Sequence, residues 1–371
     1  MLNAAIGTVC EVLEDLDDLQ RVAVRLNDGA QSRCICYPTL SGRVAAGDRV
    51  LVNTTAVDLK LGSGGWDFVV ASLAGPESES HAPGPGHVMK LRYTPLQHAV
   101  LACEEEASPH HAALAEAQSI GGMPVVAGQL HSQLAPIAIG LAFGARQLGL
   151  PPPRVAYLMT DSGALPVALS GAVRSLRSAA LIAGTISVGQ AFGGDLEAVN
   201  VYSGLLAARY AMGADVAIVC QGPGNVGTGT PMGFGGMDMA VTINAAAAID
   251  GTPIAAARVS FADPRPRHHG ISHHTVTALC TGALASALVP LPAELIDDSR
   301  LSEGLAAIAS AHTVRPVDCP ALLDELRASP VPLSSMGRRL QDDPWFFVTA
   351  ACAGVAAAQE LAQAHPADRE A

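Results

Sequence analysis

The sequence predicts two folding units: a small N-terminal β-barrel of the OB or SH3-like kind, and a Rossmann-like, mostly parallel α/β domain. Three observations carry this expectation. Residues 1–74 hold five short strand-like runs separated by turn residues, with no helical period. A polar stretch rich in Pro, Gly and Ser follows at 75–88. From Met123 onward, continuous apolar runs alternate with helical stretches, as they do in a parallel sheet covered on both faces. At 371 residues, more than one domain is expected on length alone.

Taken in order, the barrel strands are expected at Ala5–Leu13, Arg21–Leu26, Ser32–Tyr37, Arg49–Val57 and Trp66–Leu73. Asn27-Asp28-Gly29 is a hairpin signal, because Asp-Gly supplies the positive φ that such turns need, and Gly47-Asp48 does similar work. Few aromatics and a mildly acidic balance point this barrel toward a structural or partner-docking role. The segment MKLRYTPLQHAVLACEEEASPHHAALAEAQS opens the larger domain (89–371) and reads as helix with a break near Ser108-Pro109. Sheet strands are expected at Pro124–Gly128, Val155–Met159, Ala180–Ile186, Asp215–Cys220 and Ile254–Phe261, with a further one at Val314–Cys319. Helices are expected near Pro136–Leu148, Ala168–Ser178, Leu196–Met212 and Met237–Ile249, with a long Ala-rich helix from about Pro344 to Ala364.

Charge narrows the function. The net charge is −12 and the chain has two lysines, Lys60 and Lys90, so a surface of clustered cations for nucleic acid is not expected. The start, MLNAAIGTVCEVLEDLDD, runs into acid and has no secretory character. Val276–Pro292 is too short and too interrupted to span a bilayer, and reads as a buried helix followed by a loop. A cytoplasmic protein without a membrane partner is the expectation. Eight scattered cysteines with no C-x-x-C pair read as free buried thiols.

In open parallel sheets, ligands bind beyond the carboxyl ends of the strands. The residues found there are polar after apolar interiors: Gln129, His131 and Ser132, then Thr160, Asp161 and Ser162, then Ser187 and Gln190, then Gln221. One shared cleft is the economical explanation. After Gln221 comes QGPGNVGTGTPMGFGG, in which Gly222, Gly224 and Gly227 match G-x-G-x-x-G. The loop is too long for a dinucleotide turn, Pro223 lacks an amide, and no acid stands at the tip of the next strand. What survives is a nest for an anion built from loop amides with Asn225 and Thr228; the plain alternative is a loop that lets helix and sheet approach closely.

A second cluster is denser: Arg265, Arg267, His268, His269, Ser272, His273 and His274. Ser272 is a candidate N-cap, which would put His273 and His274 in the first helical turn, where the dipole favours neutral imidazole. Neutral imidazole suits proton transfer or metal ligation, and guanidinium suits a carboxylate or phosphate. The plain alternative is a solvated turn with packing histidines. His268, His269, His273, His274 and Asp161 are therefore the candidate catalytic groups. Gly222, Gly224, Asn225, Gly227, Thr228, Arg265, Arg267 and His131 are the candidate ligand-binding groups. A metal could be held by His268 and His274 with His131 or Asp161, although spacing alone does not bring these together. No motif names a cofactor.

Several chemistries are excluded by what is missing. There is no G-K-[ST] and no lysine after Lys90, which removes the P-loop lysine and a Schiff base downstream of it. No G-x-S-x-G occurs, so the α/β-hydrolase elbow is absent.

The segments GDRVLVNTTAVDLKLGSGGWDFVV (Gly47–Val70), MKLRYTPLQHAV (Met89–Val100) and RVSFADPRPRHHGISHHTVTAL (Arg258–Leu279) resemble a bacterial family known only as domain of unknown function 3866. The resemblance spans nearly the whole chain and implies no activity, cofactor or catalytic residue. Two functional expectations follow. The first is an enzyme or binder of a small anionic metabolite at the strand ends. The second is a non-catalytic scaffold or regulator, acting through the barrel and through homo-oligomerisation, which would cover the unusually apolar helices.

Overall fold

The computed structural model describes residues 2–61, 63–73, 84–318 and 320–364. The expected linker at 75–88 falls largely outside the described residues, as does Cys319. The chain forms two compact units, residues 1–84 with 91–99, and residues 85–90 with 100–371.

The first unit contains a closed five-stranded barrel. Its strands are β1 (Ala4–Asp15), β2 (Gln20–Leu26), β3 (Gln31–Cys36), β4 (Arg49–Asn53) and β5 (Asp67–Ser72). They close in the order β1-β2-β3-β5-β4, with β3 and β5 parallel and β1 pairing back onto β4. That circuit is of the OB kind. The long β1 pairs with both β2 and β4, and register shifts at Val9/Glu11 and Val12/Glu14 mark its irregularities. Alternation decides the interior: Val9, Val22, Val24, Cys34, Cys36, Val50, Val52 and Val69 all point inward. Such small β-branched side chains fill a narrow barrel. Gly29 closes the predicted hairpin with φ +88°, where a Cβ would be strained.

The second unit is built on eight parallel strands. They are β6 (Pro124–Ala127), β7 (Val155–Thr160), β8 (Gly184–Val188), β9 (Leu196–Ala198), β10 (Val216–Gln221), β11 (Thr252–Ala255), β12 (Leu288–Pro292) and β13 (Thr313–Val317). Their order across the sheet is β9-β8-β7-β10-β6-β11-β12-β13. The helices are α1 (Leu134–Gln147), α2 (Gly171–Ser178), α3 (Val201–Tyr210), α4 (Asp238–Ala248), α5 (His273–Thr277), α6 (Ser302–Ala309), α7 (Leu322–Ala328) and α8 (Pro344–Ala364). Period 2 along the strands sorts side chains between the two faces. Val155, Tyr157 and Met159 of β7, with Val216, Ile218 and Cys220 of β10, pack under α1 and α8. Ala156, Leu158, Ala217 and Val219 pack on the opposite face with α3 and α4.

Four expectations change here. The stretch after Val276 is not helix and loop but a short helix, a π-turn at Ala278–Gly282 and then strand β12. Leu196–Ala198 is an edge strand, and the helix behind it starts at Val201 after an Asn200 cap. The apolar run at Ile254–Phe261 is split, because β11 ends at Ala255 and Val259–Ser260 forms a separate ribbon with Gly270–Ile271. Residues 89–119 are mostly turns, with helix only at His111–Glu116, after the expected break near Ser108-Pro109. Glu104 and Glu105 accept backbone amides from Val199, Ala102 and His87.

The two longest apolar helices, α1 and α8, are covered within the chain. α1 and α8 pack against each other across Gly140 and Gly354, where a Cβ would collide with the carbonyls of Ala351 and Ile137 respectively. By length and composition α8 could cross a membrane, but 78% of its apolar window is buried in the protein, as in a core helix. Cys34, Cys36, Cys103 and Cys220 are free buried thiols as expected, whereas Cys10 and Cys280 are free but exposed.

Candidate functional site

Adjacent strands β6 and β10 send the chain to opposite faces, β6 into α1 and β10 into α4. This is the switch point at which open parallel sheets form ligand crevices. The two strands end in glutamines that join there. Gln221 Nε2 donates to the Gln129 carbonyl (2.6 Å), and Gln129 Oε1 accepts from Thr275 Oγ1 (2.8 Å). Thr275 lies in α5, so this bond ties the histidine segment to the centre of the sheet.

The segment 258–275 is held by a buried charge network. Asp263 is 3% exposed and accepts from Arg258 (2.9 Å), Arg265 (2.8 Å) and Arg338 (3.3 Å). Arg338 also reaches Asp343, which accepts from Ser260 Oγ (2.7 Å). Burial opposes ionisation of Asp263, but Arg265 and Arg258 hold its carboxyl well below the usual carboxylate range. Burial lowers Arg258 to about 10, with Asp263 opposing. A charged group this deep is stable only while paired.

On that frame stand three imidazoles. Ser272 caps α5 by accepting the His274 amide, and its Oγ also contacts His268 Nδ1 at 2.7 Å. The rings of His268, His273 and His274 lie with centroids 5.0, 4.7 and 4.3 Å apart. One nitrogen from each falls within 4.8 Å of the others. Phe234, from the glycine-rich loop, stacks flat on His274 at 3.7 Å and 4°. His273 Nε2 is enclosed and has no hydrogen-bond partner among the described residues. Burial, then the neighbouring arginines and His274, pushes His268 down to about 3. Burial, then His273 and the arginines, pushes His274 to about 4. His273 is lowered by burial, then by Arg267.

The other candidates are distributed differently. His269 is exposed and sits edge-on to Phe261, outside the trio. Arg265 is engaged by Asp263, whereas Arg267 is exposed and has no hydrogen bond or ion pair with the described residues. His131 joins Tyr157 Oη (3.2 Å) and the Ser170 cap of α2 (2.7 Å), and burial lowers it to about 4. Asp161 lines a separate pocket of about 250 Å³ with Thr160, Asn200 and Asp238. Burial raises the Asp238 carboxyl, Asp161 adds to this, and the Thr160 hydroxyl (2.8 Å) opposes it. The strand-end residues thus serve several places rather than one point.

The glycine-rich loop is an exposed hairpin. The amides of Thr228 and Gly235 bond to Gly233 and Val226 within the loop, and Asn225 Oδ1 accepts from Gln221 (2.9 Å). Gly222 is buried against Met159 and Leu165. Gly224 takes φ +100°, which a side chain would strain. Gly227 passes His274 at ordinary contact distance, since a Cβ there would be 3.9 Å from Cε1. Sequence reasoning missed Phe234, Asp263 and Asp238. Asp263 stands between Arg258 and Arg265 and could have been found as the countercharge its arginines require. Phe234 carries no such signal.

No curated protein matches this chain. The family described as protein of unknown function (DUF3866) matches residues 33–354, well over half the chain, and the protein belongs to that family.

Proposed function

We propose that this protein binds and acts on a small anionic metabolite, bearing a carboxylate or phosphate, beside the histidine trio at the carboxyl ends of the strands. One observation carries the reading. Of the arginines in the 258–275 segment, Arg258 and Arg265 are paired with Asp263, while Arg267 is exposed and has no pair among the described residues, its charge bearing on His273 and His274. A free guanidinium next to neutral imidazoles offers two parallel donors to an oxyanion, with groups alongside that can accept a proton or ligate.

The test is a thermal-shift panel of phosphates, sugar phosphates, nucleotides and small carboxylates on chelator-treated protein. A ligand at 100 times its Kd stabilises by about 2.7 kcal/mol, enough to move Tm by a few degrees. At least one anion class is expected to stabilise the native chain and to lose that effect in Arg267→Ala. A hit that persists in Arg267→Ala, or no hit across the panel, overturns the reading.

A further inference from the structure

We infer that His268, His273 and His274 form a tris-imidazole site for a divalent transition-metal ion of the zinc class. The first support is convergence: three imidazoles present nitrogens within 4.8 Å of one another. The second is independent of it. His273 Nε2 is buried with no hydrogen-bond partner among the described residues, and an enclosed polar atom left unsatisfied is destabilising. A metal bond would satisfy it.

The surrounding groups prepare the ligands. With Nδ1–H of His268 donating to Ser272 Oγ, its Nε2 presents a lone pair, which is the usual way an outer partner sets the tautomer of a ligating histidine. Phe234 stacks on His274 and fixes that ring plane. His273 is the half-buried ring of the three. Zinc–imidazole bonds of about 2.0–2.1 Å put tetrahedral ligands roughly 3.4 Å apart, so the widest pair must close by no more than about 1.4 Å. A set with nitrogen alone, and no carboxylate or thiolate, selects zinc, cobalt, nickel or copper over magnesium or calcium.

Three imidazoles leave a fourth position open, as in catalytic rather than structural zinc sites. Arg267 is exposed and its charge bears on His273 and His274, so an anionic oxygen is the fitting fourth ligand. That last clause rests on the proposed anion binding; the three-histidine site does not.

The experiment strips the full chain with chelator and titrates it with Zn²⁺ and, separately, Co²⁺. Elemental analysis reads the stoichiometry and the cobalt d–d absorption reads the geometry. One ion per chain with a tetrahedral cobalt spectrum is expected. His273→Ala should weaken binding by more than the roughly 10- to 100-fold that loss of an outer-shell partner causes. His269→Ala, outside the trio, should bind as the native chain does. His273→Ala removes an unpartnered atom and is expected to fold, which circular dichroism checks; His274→Gln serves as a second variant. Substoichiometric binding by the native chain, or binding unchanged in both trio variants, overturns the inference. Inorganic phosphate added to the cobalt form separates the two proposals. A spectral change lost in Arg267→Ala supports both, and an unchanged spectrum sinks the anionic fourth ligand while the metal site stands.

Discussion

His131 and the His268–His274 trio both follow strands of the same sheet at their carboxyl ends, yet their imidazoles are treated in opposite ways. His131 has a hydroxyl at each ring nitrogen, Tyr157 on one side and Ser170 on the other. Tyr157 in turn reaches the carbonyls of Cys220 and Gln221, so that ring is stitched into the sheet. In the trio, the rings face one another, and His273 Nε2 faces no donor or acceptor. A buried polar group with all its partners present is a structural element, whereas one without them is expected to have a use. The difference separates two histidine sites that look alike as sequence.

The comparison is sharpened first by removing what holds the trio up. Asp263→Ala leaves Arg258 buried without its countercharge and is expected to destabilise by about 3–5 kcal/mol, the range for breaking one half of a buried pair. Urea unfolding measures this, and a loss below about 1 kcal/mol would mean that the network does not support the segment.

The next effect sets the two sites against each other. His131→Ala takes one hydrogen bond from each of the Tyr157 and Ser170 hydroxyls and opens a cavity, for an expected cost of about 2–4 kcal/mol. His273→Ala deletes an atom that already lacks a partner, and should cost less than about 1 kcal/mol in metal-free protein. If the two costs come out equal or reversed, the contrast drawn here is wrong.

Acid provides a smaller, directional check. His131 is held near 4 in the folded chain, below the ordinary histidine value of about 6.5 in the unfolded one. The unfolded state therefore binds the proton first, and this contribution to stability is lost as pH falls from about 6.5 toward about 4. Above that window it is constant. Chevron or melting series at stepped pH should show a shallower acid slope for His131→Asn than for the native chain; parallel slopes would discount the assignment.

Arg267→Ala is expected to change stability least, within about 0.5 kcal/mol, because the side chain is exposed and unpaired. A melt of the ligand-free variant checks this. A larger loss would place Arg267 among the structural arginines with Arg258 and Arg265.

Much of the fold was legible because it rests on local pattern. The barrel strands follow alternation and the Asp28-Gly29 turn, and β7 and β10 follow unbroken apolar runs. The elements misread were those with conflicting local signals. Leu196–Ala198 is too short for any period to show. Leu288–Pro292 carries prolines at positions 290 and 292 that argue against a sheet interior. In the site, the density of histidine and arginine at 265–274 marked the segment, and Ser272 marked the cap.

Sequence by itself determined the order and kind of the two units and the segment in which reactive side chains concentrate, because turn chemistry and hydrophobic period act over a few residues. Which histidines meet was decided only by the tertiary structure. His268 and His273 are five positions apart and His269 lies between them, yet His269 turns to Phe261 while the other two join His274. That choice depends on Asp263 gathering three arginines, one of them from position 338, and on Phe234 arriving from the far end of the glycine-rich loop. Side-chain convergence of this kind is fixed by long-range packing and charge pairing, which no local window contains.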